Sequence, residues 1–206
     1  MTEQAVEIRK PQKRGVKTVR RVLDAAHILM ADGGFDAVQL SHISKESGVS
    51  IGSLYHHFGS KEGIITRLVD EFNARAMTDL ANLDLTGLPF EERLRRLLDL
   101  TCAQFRDNPE LYRSMAERVK STPNIWVPLR ALRSAFEARM SDELSDGLRQ
   151  HGVSDPKAAI HRMTQTVLGV LTHSVVFGSG PARPDDPLLE DQIYAIGYAV
   201  VLLPTP

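Results

Sequence analysis

The first third of this 206-residue chain carries an acid-free run of residues able to hold an anion. Arg9, Lys10, Lys13, Arg14, Lys17, Arg20 and Arg21 follow one another with no acid between them. Behind them come the hydroxyls of Ser41, Ser50, Ser53 and Ser60, the phenol of Tyr55 and the ammonium of Lys61. Charged side chains, hydroxyls and the free N–H groups of a helix start are what proteins use to grip phosphate. Between positions 9 and 67, ten Lys or Arg stand against five Asp or Glu, a net of +5; residues 78–206 hold fourteen against seventeen, a net of −3. The formal charge of −1 therefore conceals a basic front on a mildly acidic body, which suits a polyanionic partner such as nucleic acid. For residues 9–14 alone, a solvated basic tail explains the run equally well.

Other chemistry is poorly served. Cys102 is the one cysteine, which excludes an intrachain disulfide and a thiolate-only metal cluster. Its spacing from Leu98 and Phe105 is that of a buried helix face. His161 and His173 stand twelve apart on one predicted helix, too far to share a metal ion, and the adjacent His56 and His57 point to different faces. Gly178-Ser179-Gly180 follows a helix rather than a strand, so it is no phosphate cradle. These patterns predict no catalytic site, no metal and no cofactor.

Positioning the anion-binding groups falls to helices. Val19, Val22, Leu23, Ala26, Leu29 and Met30 recur at helical spacing before Gly33-Gly34. Ser41 reads as the N-cap of a two-turn helix that stops at Gly48. Ser50 caps the next, with Val49 and Leu54 spaced as a hydrophobic staple, and Phe58-Gly59 closes it. Ser60 caps a fourth helix that carries Ile64, Ile65, Leu68, Val69 and Phe72 toward about Leu80. Helix, glycine turn, short helix is the arrangement that places a recognition helix in the DNA major groove. Here the second short helix would present Ser50, Ile51, Gly52, Ser53, Tyr55 and His56, with His57 packing beside the first helix.

Five further helices are predicted. They run over 90–107, from Asn108-Pro109, along Leu129 to Leu148, from Asp155-Pro156 to Phe177, and from Asp186-Pro187 to about Leu203. No stretch alternates as a strand does. The expectation is an all-α chain of about nine helices: a flexible basic arm (1–15), a DNA-binding domain (16–77, helix-turn-helix at about 40–59) and a larger helical domain (78–206). Thr166–Phe177 and Ile193–Leu203 are apolar nearly all round but too short for the roughly 20 residues of a membrane span. A symmetric dimer contact explains them, through Val167, Val170, Leu171, Ser174, Ile193, Ile196, Gly197 and Val200; a deep monomeric core is the alternative. The polar, basic N-terminus has no signal-peptide apolar run, which points to the cytoplasm.

Residues 17–77 resemble the N-terminal domain of the TetR family of bacterial transcriptional regulators. The resemblance rests on Gly33-Gly34-Phe35, Leu40-Ser41, Ile43, Gly48-Val49-Ser50, Gly52-Ser53-Leu54-Tyr55, His57-Phe58 and Ser60-Lys61-Glu62 at fixed spacing. Ser44-Lys45-Glu46-Ser47 departs from the Ala-containing run common there, and the remaining two-thirds matches only in helix number and order. The resemblance implies phosphate contacts from Ser41 and Tyr55, and a base or phosphate contact from His56. Lys61 and Lys17 suit phosphate on charge and position. It also implies a dimer through the last two helices and a cavity in the larger domain for a small-molecule effector. Phe105, Tyr112, Met115, Trp126, Phe136, Met140 and Met163 are the candidate lining, on which a mainly apolar ligand is expected. The implied function is a homodimeric repressor that releases a palindromic double-stranded operator on binding ligand. An activator of the same family, or a ligand-binding helical dimer without specific DNA function, remains open.

Overall fold

A computed structural model describes residues 13–31, 34–118, 123–178 and 183–204. Among the described residues there are ten α-helices and one short 3-10 helix, and no strand. The chain divides into two compact units, Met1–Leu68 and Val69–Pro206. The first holds α1 (Lys13–Met30), α2 (Gly34–Ala37), α3 (Leu40–Ser47), α4 (Ile51–Phe58) and the start of α5 (Lys61–Asn82). The second takes the rest of α5 with α6 (Phe90–Asp107), α7 (Pro109–Glu117), the 3-10 helix (Pro123–Trp126), α8 (Val127–Gln150), α9 (Pro156–Phe177) and α10 (Leu189–Val201).

The all-α class follows from the periodicity, with local departures. The basic arm expected over 1–15 lies outside the described residues up to position 12, while Lys13–Gly15 already belong to α1. Gly33 also lies outside them. The α-helix beyond the expected nine is α2, a single turn too short to show an apolar period, whose Phe35 is fully buried. Pro128 sits in the first turn of α8, where its missing N–H costs nothing. Asp155 caps α9 by accepting the Ala158 N–H at 3.0 Å. Asp186 stands farther out than expected: it accepts the Leu188 N–H at 2.8 Å, and α10 begins at Leu189.

In the first unit α1 packs on α2 and α3, and α3 on α4. Val22, Leu23, Ala26, Phe35, Ile43, Leu54, Ile64 and Ile65 bury its core. In the second, α6 and α9 each pack against α8 and α10, and α7 leans on α9. Leu94, Leu97, Leu98, Met115, Met140, Leu144, Met163 and Ile193 fill that core.

Candidate nucleic-acid interface

The turn between α3 and α4 is set by Gly48, which takes the left-handed conformation (φ 62°) that a glycine enters without steric cost. A side chain there meets a second obstacle. A Cβ on Gly48 would lie 2.6 Å from a terminal nitrogen of Arg21, so this α1 arginine lies across the turn. After the turn Ser50 caps α4, its hydroxyl accepting the Ser53 N–H at 3.3 Å. Three free N–H groups and the positive end of the helix dipole remain near that end.

Leu54 is 1% exposed and anchors α4 from below. Around the rest of the helix Ile51 and Tyr55, 43% and 54% exposed, stand with exposed Gly52 and His56. Large apolar and aromatic groups left out of a core on a two-turn helix make a surface fit for contact. Gly52 adds a particular point. No atom lies within 4 Å of where its Cβ would be, so nothing in the fold demands glycine there.

The start of α5 closes against α4. Ser60 caps it by accepting the Gly63 N–H at 3.2 Å. A Cβ on Gly63 would fall 1.9 Å from the Phe58 carbonyl oxygen, so only glycine allows the two helix ends to meet. Lys61 is not free to swing: its Nζ donates to the Asp36 carbonyl at 3.0 Å and lies 5.0 Å from the centre of the Phe35 ring. It straps α2 to the start of α5 before it can serve any phosphate.

Two further sequence expectations are modified. Ser41 is not the N-cap of α3. Gln39 occupies that position, its N–H donating to the His42 ring at 3.4 Å, while Ser41 stands on the first turn with its hydroxyl donating to the Gln39 side-chain oxygen at 3.4 Å. Glutamine is a poor capping residue by type, so the serine two places on was the stronger sequence signal. His57 lies beside α1, its Cε1 3.8 Å from a Cβ placed on Gly15, yet stays exposed. Lys17 is exposed on α1.

A model of the family described as "Bacterial regulatory proteins, tetR family" matches residues 22–68, which run from α1 to the start of α5. Over those residues the chain carries a tetR-family domain. It is 26% identical over 167 residues to the HTH-type transcriptional regulator UidR of Escherichia coli K12, covering 80% of this chain and 83% of that one. It is 40% identical over 80 residues to the A-factor receptor protein of Streptomyces griseus, covering 39% of this chain and 27% of that protein. Among solved structures it resembles the TetR family regulator PfmR of Thermus thermophilus (TM-score 0.65, 24% identity, 88% and 97% of the two chains). It also resembles Salmonella enterica GusR (TM-score 0.62, 21% identity, 96% and 100%). Those two likenesses show the fold.

The second unit holds a cavity of about 540 Å³ among α5 to α9. Phe105, Tyr112 and Phe136 line it. Tyr112 stacks on Phe105 with ring centres 4.0 Å apart and meets Phe72 edge-on at 5.6 Å, and burial pushes its phenol above the usual range. Met115, Met140 and Met163, also expected in the lining, are fully buried and do not line it. They point from their helices into the packed core. The Trp126 side chain lies outside the described residues. Sequence reading missed the polar part of the wall: Gln104, Arg130, Arg133, Gln165 and His173. Arg130 and Arg133 share the α8 stripe of Leu129, Leu132 and Phe136, so helical spacing would have disclosed them.

The outer faces of α9 and α10 also differ from expectation. Val167, Leu171, Ser174, Ile193 and Gly197 are buried within the single chain. Gly197 is small for an internal reason, since its Cβ would come 2.6 Å from Leu98 Cδ1. Val170, Ile196 and Val200 remain half-buried, beside exposed Ala195 and Ala199. Among the described residues no helix is long and apolar enough to cross a membrane.

Proposed function

We propose that this regulator is a homodimeric, ligand-released repressor acting in the cytoplasm, with α4 seated in the major groove of a palindromic operator. The observation that carries it is the outer face of α4. Ile51, Gly52, Tyr55 and His56 stand exposed together around an N-terminal turn capped by Ser50, and nothing in the fold explains the glycine. Side chains at the start of such a helix meet base edges. Tyr55, Ser41 and Ser53 reach phosphate oxygens, and Lys17 adds charge from α1. Two copies read half-sites about 34–36 Å apart. They join through Val170, Ile196 and Val200 with the small Ala195 and Ala199, rather than through the inward residues of α9 and α10. Filling the cavity changes the second unit and thereby the spacing of the two reading heads. The size of the cavity supports an effector, since drug-sized ligands occupy roughly 300–1,000 Å³.

Protection mapping of DNA flanking its own gene tests the reading. Two protected half-sites related by a dyad are expected. Tyr55→Phe, which removes one exposed hydroxyl, should weaken that footprint by about five- to tenfold, the worth of about 1 kcal/mol. No protected site, or a variant that binds as well as the parent, contradicts the assignment.

A further inference from the structure

We infer that the cavity of the second unit takes an amphipathic monocarboxylate, its apolar body against the aromatic wall and its anionic head at Arg130. The inference rests on the reading of that cavity as an effector site. Its lining is mostly apolar, with Phe105 and Tyr112 stacked at one side. Among the described lining residues there are two arginines and a histidine and no Asp or Glu. The two arginines are one turn apart on α8 but differ in what they can still do.

Arg133 is largely committed. Its Nε donates to Glu137 Oε1 at 2.9 Å and its Nη1 to Gln165 Oε1 at 2.9 Å, while Nη2 is buried with no acceptor. Glu137 also faces His161 Nδ1 at 3.3 Å. The Arg133 charge is thus already balanced by a carboxylate, leaving a donor rather than a net cation. Arg130 has no such partner: among the described residues its guanidinium makes no ion pair or hydrogen bond, and only its backbone carbonyl is engaged, by Ser134. One uncompensated positive charge beside an apolar cavity selects one negative charge on an apolar body. A carboxylate matches the guanidinium fork with two parallel hydrogen bonds. A neutral ligand would leave Arg130 unused, and a cation would be repelled by it.

Three probes of equal length separate the outcomes: octanoate, 1-octanol and octylamine, titrated calorimetrically into the full-length protein. Octanoate should bind about tenfold more tightly than octanol, the usual scale of one charge-assisted contact, with octylamine weakest. Arg130→Met keeps a flexible apolar stem and removes the charge. It should erase the octanoate advantage while leaving octanol binding and the melting curve unchanged. Equal binding of octanoate and octanol to the parent overturns the carboxylate assignment but leaves the cavity an effector site. So does an octanoate advantage that survives Arg130→Met. Binding of none of the three overturns both this inference and the effector reading beneath it.

Discussion

At the scale of single residues, Gly52 in the first turn of α4 and Gly63 in the first turn of α5 make opposite demands. Gly52 is exposed with open space around it, and glycine within a helix costs about 1 kcal/mol relative to alanine. Gly52→Ala should therefore raise the melting temperature by about 2–4 °C while weakening operator binding, because a methyl group now stands between backbone and groove. Calorimetric melting together with fluorescence anisotropy on labelled operator checks both halves; unchanged binding would show that glycine is merely tolerated there. Gly63 is the reverse case. Its Cβ would collide with the backbone oxygen of Phe58, an atom that cannot rotate away, so Gly63→Ala should destabilise the first unit by about 1–3 kcal/mol or more. Urea titration reads that loss, and a midpoint equal to that of the parent would refute the close approach. Cys102 illustrates a group with no job in binding. Burial first, then the nearby Glu190 and Asp99 carboxylates, push its thiol up to about 12. A raised thiol pKa keeps the sulfur protonated, with about one thiolate in 10⁴ at pH 8, so iodoacetamide should label it readily only after denaturant is added. Rapid labelling of the native protein would contradict its burial.

At the scale of elements, what was legible in the sequence is what the backbone announces by residue type at fixed spacing. Ser50, Gly48, Gly59, Ser60, Asp155 and Gly178 all mark helix ends where the structure has them, because caps and left-handed stops depend on one or two local hydrogen bonds. What was not legible depends on partners far along the chain. The Gln39 cap was hidden behind the stronger signal of Ser41, and α2 is too short to carry a period. Lys61 looked like a plain phosphate ligand; its bond to Asp36 and its place over Phe35 need the first unit to be folded before they can be seen. The apolar stripes of α9 and α10 were visible, but the side turned inward was not. Both faces are apolar, so periodicity cannot rank them, and Leu98 against Gly197 is a contact across nearly a hundred residues. The Lys61 strap carries its own expectation. Lys61→Ala should lower first-unit stability by about 1–2 kcal/mol, through a lost hydrogen bond and a lost cation–π contact, in addition to weakening DNA binding. A thermal melt separates the two effects, and a variant with full stability would return Lys61 to a purely phosphate-facing role.

At the scale of the whole molecule, the uneven charge and the leftover apolar stripe on α9 and α10 bear on how two copies act together. On the proposed reading the basic front binds DNA mainly through phosphates, a term that counterions weaken steeply: a protein holding six to ten phosphates loses on the order of 10³–10⁵ in affinity between about 50 and 200 mM salt. In the proposed homodimer each head supplies half of those contacts, so the affinity depends on joining two. The surface proposed for that joining includes Val170, Ile196, Ala199 and Val200, and Ala199 is exposed in the single chain. A charge placed at Ala199 therefore meets water in the monomer and an apolar partner in the dimer. Ala199→Arg should leave the secondary structure and the monomer's core intact, since no buried neighbour is displaced. In light scattering it should halve the mass in solution, and it should lower operator affinity by at least about 10² by removing the linked second site. Its salt slope should fall by about half, because the slope counts phosphates neutralised per binding event. An Ala199→Arg protein that remains dimeric and keeps the parent's salt slope would move the joining surface away from α10.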